Sequence, residues 1–258
     1  MRYGFLADIH GNLLALNACI EYMQQNCGVD VLISLGDAIG YGPWPKEVVE
    51  TLTGNGAIML LGNHEAAICR ANMDKLADNE SAVARMIVFT KNEFSGTALR
   101  MLEKLPRRQQ NGIFFSSHSC VRSLERWPYV FPYEKESELQ LTQTDHQLIM
   151  LGHTHILGFH AWNLQTGKRV KRPDSPKKRL AECSISLNPD CRYLVNVGSV
   201  GQPRDRDPRA SFVILDLEAP EKRTLRFCRV EYDVEATVQH MRARGLPMGF
   251  AERLRVGK

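Results

Sequence analysis

Five short apolar runs in this chain each end, on the carboxyl side, in a side chain able to hold a proton or a metal. Residues 3–7 run into Asp8-Ile9-His10, and residues 31–35 into Gly36-Asp37. Residues 57–61 run into Gly62-Asn63-His64-Glu65. Residues 113–116 run into Ser117-His118, and residues 148–151 into Gly152-His153-Thr154-His155. Apolar runs of this length read as buried strands. Open α/β sheets bind ligands just beyond the carboxyl ends of their strands. The pattern therefore asks for a sheet architecture in which all five strand ends converge.

What lies between the runs agrees. Leu13, Leu16, Ile20 and Met23 are spaced three and four apart, which predicts a helix capped by Asn12 and closed near Gly28. Residues 45–52 read as a short helix, with Pro45 at a position where its missing N–H costs little. Residues 64–105 are rich in Ala, Met and Leu and predict two or three helices. The second half turns strand-like at 113–116, 148–151, 193–197, 211–217 and 224–230, and residues 233–244 read as a closing helix ended by Gly245 and Pro247. Strand–helix alternation followed by strands predicts an α/β layered domain. No internal repeat is visible, and one domain over residues 1–258 is expected, with a basic insertion or flap at about 160–192.

Composition narrows the function. With 258 residues and 43% hydrophobic content the chain can bury a sizeable core. The net charge is +4, but the run at 167–179 (GKRVKRPDSPKKR) alone exceeds that excess, so the remainder is slightly acidic. A nucleic-acid partner is therefore open but not favoured, and such a run is commonly a solvated loop. Seven cysteines at irregular spacing, with no CxxC, suit a reducing cytoplasm better than a disulfide scaffold. The N-terminus is no signal peptide, because Asp8 and His10 break its apolar stretch. No segment approaches the roughly 18 apolar residues of a membrane span, so no membrane partner is expected. Oligomeric state is not readable.

Each polar end is ambiguous alone. An Asp after a strand is often a cap or turn former, Asn-His-Glu can start a helix, and a single His is often a satisfied buried ring. Together they are harder to dismiss, since five of the eight histidines (His10, His64, His118, His153 and His155) fall at these five sites. Two Asp, one Asn and four or five His make a mixed oxygen and nitrogen donor set. That set suits Mn, Fe, Zn, Ni or Co ions better than Ca or Mg. It also exceeds the four ligands of one tetrahedral zinc, which points to two divalent metal ions.

In order, Asp8-x-His10, Gly36-Asp37, Gly62-Asn63-His64-Glu65, His118 and Gly152-His153-x-His155 resemble the calcineurin-like metallophosphoesterase family. The stretch from Asn196 to Arg204, the following Asp207-Pro208-Arg209-Ala210-Ser211 and the tail from Val230 to Pro247 resemble its small bacterial phosphodiesterase branch. The likeness thus covers nearly the whole chain. It implies two mixed β-sheets packed in a sandwich flanked by helices. It implies that Asp8, His10 and His155 hold one metal, that Asn63, His118 and His153 hold the second, and that Asp37 bridges both. His64 would be the catalytic residue, acting as acid or transition-state stabiliser. The implied reaction is hydrolysis of a small or nucleotide-like phosphate ester, most simply a diester, by in-line attack of a metal-bridging hydroxide.

Three further residues carry two readings each. Glu65 is either a partner for an imidazole N–H or a first-turn acid favoured by the helix dipole. Ser199 reads first as part of a structural turn, and Arg204 equally as turn or as phosphate-binding residue. The chain departs from the family's protein phosphatases in carrying Ala38 after Asp37 and Leu61 before Gly62, where those enzymes carry Arg. After His118 it has Ser119-Cys120 where the small branch often has Gly-Ser-Pro. Two other functions fit the sequence less well. A non-catalytic scaffold on this fold would be expected to have lost ligands that are present here. A nuclease would use the 167–179 run to hold phosphate, but that run lacks interleaved aromatics.

Overall fold

A computed structural model describes residues 1–76, 79–170, 182–219 and 222–258. The first half alternates as the apolar spacing requires: β1 (Arg2–Leu6), α1 (Leu13–Asn26), β2 (Val31–Ser34), α2 (Pro45–Gly54) and β3 (Ile58–Met59). Four helices follow: α3 (Asn63–Arg70), the single turn α4 (Met73–Leu76), α5 (Ala82–Asn92) and α6 (Gly96–Glu103). Next come β4 (Arg108–Gln110), β5 (Phe114–Ser117), α7 (Glu134–Leu141), β6 (Leu148–Leu151) and β7 (Leu157–Asn163). The chain closes through β8 (Glu182–Ser186), β9 (Cys191–Val197), β10 (Ala210–Asp216), β11 (Thr224–Val230), α8 (Val234–Ala243) and α9 (Met248–Val256).

The strands form two mixed sheets, ordered β3-β2-β1-β10-β11-β8 and β4-β5-β6-β9-β7. In the first, β1, β2 and β3 run parallel and the others pair antiparallel. In the second, β5, β6 and β9 run parallel, with antiparallel strands at both edges.

The period of two along each strand explains why the sheets stack. Phe5 and Ala7, with Val213 and Leu215, face inward and meet Leu148, Met150, Tyr193, Val195 and Val197 of the other sheet. The alternate residues Leu6, Phe212 and Ile214 face outward onto α1, α2, α8 and α9. Ile149, Leu151 and Leu194 face the opposite way, onto α7 and the loop before it. Helix, sheet, sheet and helix therefore form four layers, and every apolar strand face has a cover.

Local signals account for the helix ends. The Asn12 side chain accepts from the Ala15 N–H at 3.2 Å, and α1 buries Ala15, Leu16, Cys19, Ile20 and Met23 as its spacing requires. The stretch 64–105 holds more helices than its composition suggested, because Ser81 and Ser95 each cap a new start. Strands β4, β7 and β8 and helices α7 and α9 had no clear sequence signal. Strand β4 is the polar tripeptide RQQ, paired only on its β5 side. Helix α7 buries Ser137, Gln140 and a single Leu, Leu141, and so lacks an apolar stripe. The segment 160–192 begins within β7 and contains β8. Residues 171–181, which hold most of the basic run, lie outside the described residues. Among the described residues no helix is long and apolar enough to cross a membrane.

Candidate metal centre

The polar groups named above collect at the carboxyl ends of β1, β2, β5 and β6, at one end of the stacked sheets. Parallel pairing of β1 with β2 sets the Asp8 and Asp37 turns side by side. Asp8 N–H donates to Gly36 O at 3.1 Å, and His10 N–H to Asp37 O at 3.0 Å. Parallel pairing of β5 with β6 does the same for His118 and His153, with Gly152 N–H donating to His118 O at 2.9 Å. The sheets are joined at the site itself, because His153 N–H donates to Asp8 Oδ2 at 2.8 Å.

The backbone is held in an unfavourable conformation at these turns. Asp8, His10, Asp37, His153 and His155 all have φ between +50° and +70°. For non-glycine residues that region costs about 1 kcal/mol or more each. Nine non-glycine residues share it among those described, and five are these candidates. Gly62 is required for a different reason: a Cβ there would collide with the Asp37 carboxylate and backbone nitrogen.

The side chains converge in two groups. Asp8, His10 and His155 form one: His10 Nε2 lies 3.2 Å from His155 Nε2, and His155 Nε2 lies 3.2 Å from Asp8 Oδ1. Asp37, His118 and His153 form the other: His118 Nε2 lies 3.3 Å from Asp37 Oδ2 and 3.2 Å from His153 Nδ1. Asn63 Oδ1 joins it, 3.0 Å from His118 Nε2. Asp37 lies between the groups, its Oδ2 also 3.9 Å from His10 Nε2. Asp37 and His10 form a third close group with His64, whose Nε2 is 4.0 Å from Asp37 Oδ2.

The protonation pattern says what could sit there. His10, His118 and His155 each direct Nδ1 at a backbone carbonyl, those of Ile39 (3.2 Å), Leu35 (3.1 Å) and Gln202 (2.5 Å). That contact fixes Nδ1 as the protonated nitrogen and leaves Nε2 a lone pair aimed inward. Asp8 Oδ1 is buried with no donor. Each group therefore presents acceptors to acceptors, an arrangement stable only around positive charge. In the metal-free molecule a proton serves in one place. Burial lowers the His118 pKa, but the carboxylates of Asp37 and Asp8 outweigh it and push it up to about 9. Burial raises the Asp37 carboxyl, and His118, His64 and His10 together hold it well below the carboxylate range. His10 and His153 go the other way: burial lowers both, His153 to about 4. An inward-facing set of imidazole nitrogens and carboxylate oxygens is the donor chemistry of a transition-metal site, and the residues present fit one.

Glu65 is not a partner of an imidazole. Its Oε2 accepts from the N–H groups of Asp37 and Gly62, both at 2.9 Å, and its Oε1 from Ile39 N–H at 3.2 Å. The carboxylate thereby starts α3 and ties down the Asp37 turn. Burial and the nearby Asp37 charge push its pKa up to about 7, against the pull of those N–H donors. Ser199 is structural as well: buried, it donates to Asp8 O at 2.7 Å and accepts from Gln202 N–H at 2.8 Å. Arg204 lies at the rim, its N–H donating to His155 O at 3.1 Å and its Nη2 to Gln202 Oε1 at 2.9 Å. His64 is more open than the other site histidines, its side chain 11% exposed.

Three aromatic residues at the site were missed by sequence reasoning, among them Trp127, whose ring meets His118 edge-on at 5.6 Å. The Tyr41 ring packs 4.7 Å from His10 and 4.6 Å from His64, and Tyr129 stacks on His153 at 4.6 Å. Tyr41 sits between Gly40 and Gly42 just after Asp37, and an aromatic framed by glycines beside a ligand was a usable signal. Tyr129 lies in an irregular loop and carried none.

Comparison with known proteins identifies the family and the fold. The family model for calcineurin-like phosphoesterases matches residues 1–157. An uncharacterized protein of Methanocaldococcus jannaschii is 32% identical over 98% of this chain and 97% of its own length. The crystal structure of a metallophosphoesterase from Sphaerobacter thermophilus superposes with a TM-score of 0.83 at 31% identity, covering 100% of this chain and 99% of that one. A hypothetical protein from Pyrococcus horikoshii shares the fold, with a TM-score of 0.77 at 17% identity, covering 100% of this chain and 98% of that one. The chain belongs to the calcineurin-like phosphoesterase family.

Proposed function

We propose that this protein is a phosphodiesterase acting on small or nucleotide-like esters with two divalent ions, manganese among the candidates beside iron, zinc and nickel. Asp8, His10 and His155 would hold one ion, and Asn63, His118 and His153 the other, with Asp37 shared. The observation that carries this reading is the acceptor-only convergence of the two groups about Asp37. When bound, such ions supply Lewis acidity: they draw charge from phosphate oxygens and lower the pKa of water to about 7.

The chain's own residues supply the remainder. His64 is the catalytic residue in this reading. Burial lowers its pKa, with Asp37 acting in the opposite sense, so at neutral pH the ring is largely neutral and still carries one N–H. Placed against the leaving oxygen, that N–H would donate a hydrogen bond to the charge developing there, the role of a transition-state stabiliser. The Arg204 guanidinium at the rim would bind phosphate oxygens, for which its planar fork is suited. Tyr41 packs against His10 and His64 and limits how far either ring can turn. The cytoplasmic reading rests on the thiols: Cys19, Cys120, Cys191 and Cys228 are buried and free.

The test strips the protein with chelator and adds back Mn²⁺, Ni²⁺, Zn²⁺, Mg²⁺ or Ca²⁺ singly. Hydrolysis of bis(p-nitrophenyl) phosphate is followed beside p-nitrophenyl phosphate. Recovery with a transition metal, faster on the diester and lost in both His64→Ala and Asp37→Asn, is expected. Absence of hydrolysis with every metal would refute the proposal.

A further inference from the structure

A groove of about 550 Å³ opens beside the metal centre, lined by Arg204 and, from α9 and the residues after it, Glu252, Arg253, Val256 and Lys258. Its one acidic side chain is already engaged, since the Glu252 carboxylate meets Arg255 of the same helix. Among the described residues, Arg204, Arg253 and Lys258 form no ion pair with a carboxylate, although Arg2, Arg229, Arg244 and Arg255 all do. Three cations thus face one cavity large enough for a small ligand.

Arg204 links the groove to the reacting site. Arg204 is held to the His155 loop by its backbone N–H and to Gln202 by one guanidinium nitrogen. Its Nε is buried without a partner. The Tyr41 hydroxyl lies beside that guanidinium, and the Tyr41 ring packs on His10 and His64. Arg204 and Tyr41 therefore stand on the boundary between the metal-facing histidines and the basic groove. Unpaired cations at the mouth of a phosphate site attract further negative charge, and guanidinium geometry suits phosphate.

We propose that this groove is a second phosphate subsite, and that the substrate is an ester carrying a further phosphate group beyond the one hydrolysed. Arg253 and Lys258 bind the distal phosphate, and Arg204 stands between the two. This assignment rests on the phosphoesterase reading for its substrate, while its binding component can be measured without any reaction.

Two measurements test it. In the first, chelator-treated protein is titrated with inorganic pyrophosphate and its melting temperature recorded. With the metals removed, pyrophosphate cannot be held through them, and the substitutions then report the groove's share. A rise in melting temperature is expected for the wild type and should be absent from the Arg253→Gln/Lys258→Gln double variant. In the second, Mn²⁺-loaded protein hydrolyses thymidine 5′-(p-nitrophenyl phosphate) with and without a 3′-phosphate. The 3′-phosphate should raise kcat/KM by about tenfold, through KM, as expected for one charge-assisted contact. The double variant should bring that ratio to about one. Lys258→Glu, at an exposed residue, gives the same readout if the double variant fails to fold.

A 3′-phosphate preference that is absent from the wild type, or unchanged in the variants, overturns the proposal. So does pyrophosphate stabilisation that is absent or survives the substitutions. If neither ester is hydrolysed with any metal, the phosphoesterase reading fails, and the pyrophosphate titration still decides whether the groove binds phosphate.

Discussion

Replacing Glu65 tests the claim that one buried carboxylate holds the Asp37 turn in place. Glu65 is fully buried and accepts from three backbone N–H groups, those of Asp37, Gly62 and Ile39. Glu65→Ala strands all three. A buried donor left without a partner costs about 1–3 kcal/mol, and water entering the vacated space keeps the sum toward the lower end, near 3–5 kcal/mol. For a chain of this size that lowers the melting temperature by roughly 6–20 °C. Glu65→Gln keeps the shape and one carbonyl oxygen. Placed at the Oε2 position, that oxygen still serves Asp37 and Gly62, and only Ile39 N–H is left facing an amide N–H. A loss of about 1–2 kcal/mol is expected there. Thermal unfolding should be followed on chelator-treated protein, so that metal binding does not contribute to the measured stability. A parallel metal titration should show weaker affinity in both variants, by about 10–100-fold, the usual effect of disturbing a group that orients a ligand. If Glu65→Ala lost less than about 1 kcal/mol, or if Gln were as damaging as Ala, the three-bond account would be wrong.

Other substitutions probe separate parts of the molecule. If Asp37 is the shared ligand proposed above, Asp37→Asn should weaken metal binding and hydrolysis by more than about 100-fold, more than disturbing a group that only orients a ligand; isothermal titration with Mn²⁺ reports the binding. Ser199→Ala leaves the Gln202 N–H without its acceptor and removes the bond to Asp8 O, and should cost about 2 kcal/mol in urea unfolding. His160 packs against Phe131 and Trp162, and burial followed by Arg169 lowers its pKa to about 4. The unfolded chain takes up that proton below about pH 6.5, so His160 makes stability fall as pH drops from about 6.5 toward 4. His160→Phe should flatten this limb of a melting-temperature profile, and parallel profiles for variant and wild type would refute the assignment.

The legibility of the fold tracks the strength of its local signals. Helix α1 was readable because Asn12, the apolar spacing and Gly28 all agree with one another. The central strands β1, β2, β5, β6 and β9 were readable as short apolar runs, since strands covered on both faces have no polar alternate. The edges were not. Strand β4 draws its order from backbone pairing with β5 and needs no apolar side chain. Helix α7 is held by Ser137, Gln140 and Leu141 against β9 and the preceding loop, a fit that exists only once the second sheet is formed.

The sequence by itself determined which candidate ligands reach the site, because each lies within a few residues of the end of an apolar run and a strand delivers whatever lies at its carboxyl end. It also determined the donor chemistry, since residue type decides whether oxygen or nitrogen is offered. Tertiary structure alone decided how those donors group, because Asp8 and His155 are 147 positions apart and meet only when the two sheets pack. It decided that Glu65 serves the backbone and not an imidazole, since the orphaned N–H groups of the Asp37 turn exist only in the folded loop. It brought Arg204 and the end of α9 to one groove, a juxtaposition of surface charge across 54 positions that leaves no local pattern in a chain whose burial signals concern only apolar faces.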